Sequence, residues 1–238
     1  MTIKTIFSQT CFVLALFGGI PAARSQAAAE PPKSGFSDKA SLKIMQSGKE
    51  IGKEAYQIQS VQGQWKSTAD ISLEPKGQPP VQLHAETNLD ENYKFVSYEA
   101  QRVGDGPKMK IRVFLENGIA ICEEKGSYTS ETDPVKVEPD FQLLDTNVFH
   151  HYALLAMRLA KDPQLSRIQV LIPQESVAGD LKVKTVTREI LKTGRNRVPV
   201  QRYELDSGQI QLTLWADADG RLYKILVPQT NAEVVRLE

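Results

Sequence analysis

Apolar and polar residues alternate along most of the chain, which predicts β-strands separated by short turns. Between Gln64 and Leu73, for example, Trp65, Ala69 and Ile71 fall on one side of the strand. Asn117-Gly118, which lies between two such runs, is a strong hairpin signal. Connections this short allow only antiparallel neighbours, because parallel strands need a long crossover. One-sided alternation also indicates a sheet with one covered and one solvated face.

The predicted strands form two groups, one in each half of the chain. The first group comprises Ser41 to Gln46, Glu50 to Val61, Gln64 to Leu73, Val81 to Leu89, Tyr93 to Arg102, Lys108 to Leu115 and Ile119 to Glu123. The second group comprises Arg167 to Ile172, Asp180 to Lys192, Val198 to Leu205, Gln209 to Ala216, Arg221 to Val227 and Ala232 to Leu237. The polar, turn-rich segment from Lys125 to Pro139 is interpreted as an irregular crossing loop.

One stretch, about 146–161, has helical periodicity instead and predicts a single central α-helix. Asp145, Thr146 or Asn147 can cap its start, and Asp162-Pro163 ends it. Its broad apolar side carries Phe149, Tyr152, Leu155 and Leu159, whereas His150, His151, Arg158 and Lys161 occupy the narrower polar arc.

The apolar arc is wider than a helix lying on a flat surface needs. We therefore expect a mainly β protein, in which a large curved antiparallel sheet or half-barrel holds this helix on its concave face. A large twisted sheet tends to curl, which favours such a shape. Because His150 and His151 fall outside the apolar arc, we expect them on the helix surface.

The N-terminal residues 1–29 are interpreted as a signal peptide. Lys4 precedes a mainly apolar stretch from Thr5 to Ile20, and small residues then allow cleavage after about residue 27 or 29. A retained membrane anchor is the alternative, but the apolar core is shorter than the ~20 residues of a spanning helix. Residues 30–39, with Pro31-Pro32, are interpreted as a flexible lead-in, and 40–238 as a single β domain whose two halves are joined by the helix.

These boundaries predict secretion across the inner membrane into the periplasm, with no transmembrane anchor after cleavage. Lys plus Arg and Asp plus Glu both number 29, which argues against a general nucleic-acid or acidic-lipid binder. After cleavage Cys122 would be the only cysteine, so no internal disulfide could form and the fold would depend on its core.

The sequence contains no recognisable catalytic, metal-binding or nucleotide-binding motif. Asp217-Ala218-Asp219-Gly220 resembles the start of a calcium loop, but its twelfth position is Pro228 rather than an acid. His150 and His151 point about 100° apart on a helix and therefore cannot chelate one ion. We expect a non-enzymatic protein without cofactor or metal. An enzyme would remain an alternative if Cys122 and a histidine met in an open cleft.

A short motif carries a family resemblance. The acidic turn and closing strand Asp219-Gly220-Arg221-Leu222-Tyr223-Lys224-Ile225 is similar to a pattern in uncharacterised secreted bacterial all-β proteins. The strand–helix–strand layout also resembles that of the periplasmic lipoprotein carriers, whose unclosed barrels are lidded by helices and hold acyl chains. Those carriers have more than one lid helix, whereas this chain offers one. The resemblance implies a half-barrel and an apolar ligand.

Two functions follow as hypotheses. The first is a cell-envelope protein that binds a lipid or another apolar ligand between sheet and helix. The groove would be lined by Phe149, Tyr152, Leu155, Leu159 and Trp65. The second is an interaction or assembly protein that meets an envelope protein through a sheet face or edge. Trp215 motivates it, because this tryptophan lies opposite the apolar Leu212 and Leu214 of its strand.

Overall fold

A computed structural model describes residues 36–74, 77, 79–104 and 107–237. The predicted signal peptide and residues 30–35 of the predicted lead-in lie outside these residues. The strands are β1 Ser37–Gln46, β2 Lys49–Val61, β3 Gln64–Leu73, β4 Val81–Leu89, β5 Phe95–Arg102, β6 Met109–Glu116, β7 Ile119–Gly126, β8 Ser130–Lys136, β9 Gln142–Leu143, β10 Arg167–Ile172, β11 Val177–Thr193, β12 Asn196–Asp206, β13 Gln211–Ala216, β14 Leu222–Val227 and β15 Ala232–Leu237. The helix α1 spans His150–Lys161, and short 3-10 turns occupy Pro173–Glu175 and Pro228–Thr230.

All fifteen strands belong to one sheet in the order β8-β7-β6-β5-β4-β3-β2-β1-β15-β14-β13-β12-β11-β10-β9. Each half of the chain is a meander of hairpins, and the two halves join where β1 pairs antiparallel with β15. Only the two-residue strand β9 runs parallel to its neighbour, β10. The predicted class, a mainly β protein built on a large curved antiparallel sheet with one helix, is confirmed.

A buried ion pair stabilises the junction where the two halves of the chain meet in the sheet. Arg236 of β15 donates to Asp38 of β1 (Nη2 to Oδ1, 2.6 Å), and the hydroxyl of Tyr56 in β2 donates to the same carboxylate (2.8 Å). Asp38 is almost fully buried. Residues 37–39 therefore belong to β1, and the predicted flexible lead-in through residue 39 is wrong at its end.

The sheet surrounds α1, whose residues are buried on most sides. The predicted inward faces are buried as expected, for example Trp65, Ala69 and Ile71 in β3. One cross-strand row of the inner face contains the alanines Ala69, Ala85 and Ala100 side by side. These small side chains leave space on the inner face of the sheet along this row.

The antiparallel order gives the sheet two ends. At the proximal end lie the turns 47–48 and 207–210 and the start of α1, and at the distal end lie the turns 90–94, 194–195 and 217–220. The two edge regions also approach each other, because Ser176 after β10 donates to Asp133 of β8 (3.0 Å). The sheet is thus barrel-like, with its edge strand β8 joined by this hydrogen bond to the segment that follows β10.

Gly220 lets the distal turn 217–220 pack directly on the helix. Its φ is +83°, and a Cβ at this position would lie 2.4 Å from the Cα of Met157 and 2.9 Å from its backbone nitrogen. No larger residue could keep both that backbone conformation and that contact. The glycine of the motif Asp219-Gly220-Arg221-Leu222 therefore sets the distance between the helix and this turn.

Two predicted boundaries are wrong. The segment 125–139 contains β8, which pairs with β7 along its whole length. Its side chains are mostly exposed, so the alternation that reveals a half-buried strand is missing. The helix begins at His150 rather than near 146, because Asn147 has a left-handed backbone (φ +65°) and none of the three predicted capping side chains serves as its N-cap.

Candidate functional site

The start of α1 is held by a carboxylate from a distant strand. Glu54 of β2 accepts the backbone N–H groups of Phe149 (Oε2, 2.6 Å) and His150 (Oε1, 2.6 Å), and the same Oε1 lies 2.8 Å from Nδ1 of the His150 ring. Glu54 and His150 are both 0% exposed. A negative charge at a helix N-terminus satisfies unpaired N–H groups and is favoured by the helix dipole. Glu54 therefore replaces the local N-cap that the helix lacks.

The next residue, His151, bonds on both sides of its ring. The backbone N–H of Asp145 donates to its Nδ1 (3.0 Å), so the proton lies on Nε2, which donates to Thr87 Oγ1 of β4 (2.9 Å). Burial, and secondly the neighbouring His150, lower the pKa of His151 well below its usual value. The ring is therefore neutral at pH 7 and fixed in one tautomer.

A third contact joins the segment before the helix to β5. The hydroxyl of Tyr98 donates to the buried carboxylate of Asp145, which also accepts the backbone N–H of Thr146 (2.7 Å). Burial raises the pKa of Asp145 to about 6, although these two hydrogen bonds act in the opposite direction. Burial, followed by the charge of Asp145, also raises the pKa of Tyr98. We name the set Glu54, Thr87, Tyr98, Asp145, His150 and His151 the helix anchor.

The helix anchor corrects the expectation that His150 and His151 lie on the helix surface. Both rings are fully buried, because the curved sheet covers the predicted polar arc as well as the apolar one. The two rings pack against each other with centroids 4.6 Å apart. Within the described residues, no group of three or more His, Cys, Asp or Glu side chains is arranged to hold a metal ion.

The five residues of the predicted apolar groove do not line one site. Phe149 and Tyr152 stack near the proximal start of the helix (6.4 Å), while Trp65 packs between Phe36 and Tyr93 towards the distal end. Leu155 and Leu159 are buried in the closed core. None of the four cavities described here is lined by any of the five residues. The helix packs against the sheet at these positions, and no described cavity joins the five residues of the predicted groove.

An apolar cavity lies at the distal end of the sheet. It has a volume of about 570 Å³ and is bounded by the β11–β12 hairpin on one side and by the turn 217–219 on the other. Its lining residues are Arg188, Glu189, Ile190, Val198, Pro199, Val200, Gln201, Asp217, Ala218 and Asp219. We name it the distal cleft. Half of its lining is aliphatic, and the turn that closes it is the one that Gly220 seats on the helix.

Trp215 lies beside the distal cleft but is covered. Its indole is 8% exposed, its Nε1 donates to the Glu189 carboxylate, and the cationic groups of Arg202 and Lys224 lie 5.8 and 5.3 Å from its ring. Trp215 therefore does not form the exposed apolar patch on which the predicted interaction surface depends. Trp215 faces outwards from the sheet, but it is covered by the carboxylate of Glu189 and the cationic groups of Arg202 and Lys224.

Cys122 is buried in β7, with Asp133 and Ser176 as its polar neighbours. Burial, reinforced by the charge of Asp133, raises the pKa of its thiol to about 11. Its thiolate is therefore scarce at neutral pH, and the thiolate is the nucleophilic form. The three histidines lie elsewhere, His84 at the surface against Asp70 (2.8 Å) and the other two in the helix anchor.

The sequence did contain signals for the residues that were missed. Glu54 lies on the same buried side of β2 as Tyr56 and Ile58. Thr87 lies on the same buried side of β4 as Leu83, Ala85 and Leu89. A polar residue on the buried side of a strand requires a buried partner. Its partner on the helix could not be identified, because it lies up to 96 positions away.

Comparison with known proteins supports the fold. No family model matches the chain, and no curated protein does. The solved structures that resemble it include a β-barrel-like protein of the domain of unknown function DUF1849 from Brucella abortus, with a TM-score of 0.53 and 12% sequence identity over 84% of this chain and 93% of that one. The expected likeness to an uncharacterised all-β protein with a barrel-like layout is confirmed. At this identity the match concerns the fold.

Proposed function

We propose that this is a non-enzymatic binding protein of the bacterial cell envelope, and that it holds a lipid or another apolar ligand in the distal cleft. The observation that carries the proposal is the cleft itself. At about 570 Å³ it falls within the range of small-molecule sites, which are concave and mostly apolar. Its aliphatic side chains include Ile190, which is 53% exposed. An open apolar wall of this kind gains free energy when a hydrocarbon covers it.

The polar groups of the cleft would orient such a ligand. Arg188 and Glu189 lie on the hairpin side and Asp217 and Asp219 on the turn side, so Arg188 is the one cation among the lining residues. Arg221 neutralises part of the acidic wall, since its Nη1 lies 2.8 Å from Asp219 and 3.5 Å from Asp217. Arg188 is thus the side chain best placed for an anionic head group.

The envelope location rests on the N-terminal sequence. Lys4 followed by an apolar stretch and by small residues is the pattern of a secretory signal peptide. No helix among the described residues is long and apolar enough to cross a membrane.

The proposal is tested by native mass spectrometry and lipid extraction of protein purified from its own host, where we expect a co-purifying lipid. A titration with a fluorescent fatty acid then locates the site. Ala218→Trp would fill the cleft from an exposed turn position. Binding should weaken at least about tenfold, because the ligand would lose its apolar contact with the cleft wall. Ala55→Trp is the control, because it lies in a cavity on the outer face. Absence of any bound lipid, or equal effects of the two variants, would reject the proposal.

A further inference from the structure

We propose that the distal tip of the β11–β12 hairpin is a docking surface for an anionic membrane. The proposal goes beyond ligand binding in the distal cleft and does not depend on it. It concerns four basic side chains, Arg188, Lys192, Arg195 and Arg197, which we name the basic tip.

The tip projects beyond the sheet as a two-stranded ribbon. Pairing between β10 and β11 ends at Lys182, and pairing between β12 and β13 begins at Gln201. The hairpin between these two residues therefore has no neighbouring strand on either side, although β11 and β12 pair with each other up to the turn at 194–195. An isolated two-stranded hairpin is at best marginally stable in water. Stability of the fold therefore does not explain why the hairpin extends beyond the sheet.

The charge of the tip contrasts with that of the whole chain. The 29 basic and 29 acidic residues of the sequence balance, yet residues 182–197 contain six Lys or Arg and one acid, Glu189. Glu189 is engaged by the Trp215 indole. No ion pair involves any residue of the basic tip among the described parts of the chain. The overall neutrality therefore conceals a local basic surface, and the sequence-based argument against acidic-lipid binding does not extend to this hairpin.

Basic and aliphatic side chains share one face of the tip. Val186 lies opposite the buried Tyr203 and thus on the face that forms the core within the barrel. Alternation continues this face outwards. It carries the exposed apolar residues Val186, Ile190 and Pro199 and the exposed basic residues Arg188, Lys192 and Arg197. Val186 and Ile190 are 47% and 53% exposed. The face has the composition of an interfacial membrane-binding element, in which aliphatic groups enter the head-group layer and cations meet anionic lipids.

The tip also contains an unfavourable pair. Lys192 and Arg197 are direct cross-strand partners, and like charges in this position destabilise a hairpin. Both belong to the same exposed face, with no acid between them. An external anion lying against the pair would reduce this repulsion.

A membrane fits the tip better than an acidic protein does. A stable protein interface buries about 800 Å² on each partner, which the end of a single two-stranded ribbon does not provide. A lipid surface needs no complementary shape, and each Lys or Arg near an anionic membrane increases the binding constant about fivefold.

Vesicle co-sedimentation tests the proposal, with protein 31–238, which forms a compact unit of its own and lacks the apolar N-terminal stretch. We expect binding to vesicles of phosphatidylglycerol mixed with phosphatidylcholine, weakening with added salt, and none to phosphatidylcholine alone. The variant Lys192→Gln, Arg195→Gln, Arg197→Gln should bind about 100-fold more weakly, since three cations are lost. None of these three residues lines the distal cleft, so fatty-acid binding should be unchanged.

The matched control is Lys49→Gln, Lys53→Gln, Lys108→Gln, which removes the same charge near the proximal end and should keep wild-type binding. Equal losses in the two triple variants would overturn the proposal. So would failure to bind anionic vesicles, including the case in which the protein binds polyglutamate instead and the partner is an acidic protein.

A fluorescent label shows whether the apolar part of the face enters the lipid. Buried Cys122 is poorly reactive, so an environment-sensitive dye can be attached at Ile190→Cys and, as a control, at Val177→Cys at the proximal end, where the native side chain is 45% exposed. Anionic vesicles should shift the emission of the label at position 190 to shorter wavelength and leave that at 177 unchanged. A shift at both positions, or at 177 alone, would contradict docking through the tip.

Discussion

The helix anchor and the basic tip place polar groups in opposite ways. In the anchor, Glu54 and Asp145 are fully enclosed, and each accepts hydrogen bonds from backbone and side chain. At the tip, Lys192 and Arg197 face each other in solvent without an acid beside them. The anchor satisfies both carboxylates within the protein, although Nε2 of His150 is buried without a hydrogen-bond partner, and it therefore serves the fold. The tip leaves its charges available, as the proposed contact with an anionic membrane requires.

Substitution of Glu54 should have the largest effect of any change in the helix anchor. Glu54→Ala removes the group that caps the helix and leaves His150 and two N–H groups buried without it. We expect the free energy of unfolding to fall by about 3–5 kcal/mol, as when one partner of a buried pair is lost. Urea unfolding followed by circular dichroism measures it.

Glu50→Ala is the control for this substitution, because Glu50 lies on the same strand with an exposed side chain. Its effect should stay within about 0.5 kcal/mol. If Glu54→Ala were as mild as the control, the anchor would not hold the helix.

The pH dependence of the anchor is the next largest expected effect. The folded-state pKa of His151 lies below its unfolded value of 6.5, so its contribution to stability is complete above pH 6.5 and is lost as the pH falls. The pKa of Asp145 rises from 3.8 to about 6, so Asp145 contributes stability that is complete below pH 3.8 and lost as the pH rises through 6. The two residues oppose each other between about pH 4 and pH 6.

Asp145→Asn should unmask His151. We expect the variant to lose more stability than the wild type between pH 6.5 and pH 4, with a difference on the order of 3 kcal/mol across that window. Urea unfolding at several pH values measures it. His151→Gln should show the reverse, a gain on acidification relative to wild type, and parallel pH profiles for all three proteins would refute the opposition.

The smallest expected effect concerns the tip. Lys192→Glu replaces the like-charge pair with an opposite pair and should raise the free energy of unfolding by about 0.2–1 kcal/mol. The same variant should bind anionic vesicles more weakly. Lys192→Gln should lie between it and the wild type in both measurements. A destabilised Lys192→Glu protein would mean that the tip is not under repulsion.

The sequence revealed the fold wherever one face of a strand is buried. β3, β4 and β6 could be predicted because their residues alternate in burial. β8 could not, because both of its faces are exposed. The existence of the helix was correct, but its start was not, since its cap comes from Glu54 in a distant strand.

The sites were harder to predict for the same reason. Glu54 and His150 meet only through the tertiary fold, and Gly220 meets Met157 in the same way, so no local pattern defines these contacts. The apolar face of the helix was correctly identified, but its breadth reflects a filled interior rather than a groove. The basic charge of the β11–β12 hairpin is visible in the sequence. It does not appear in the net charge of the whole chain, because acidic residues elsewhere balance it.

The pairing of β1 with β15 has a consequence for the order of events during synthesis. Arg236 and Asp38 are 198 positions apart, so β1 has no partner on that side until β15 has been made. Strands β1 to β8 can form their hairpins early, but the edge of β1 stays open for almost the whole of translation. Such long-range pairing folds slowly and leaves an edge that can pair with other chains. We therefore expect this protein to need protection against aggregation while it is being made, more than it does once folded.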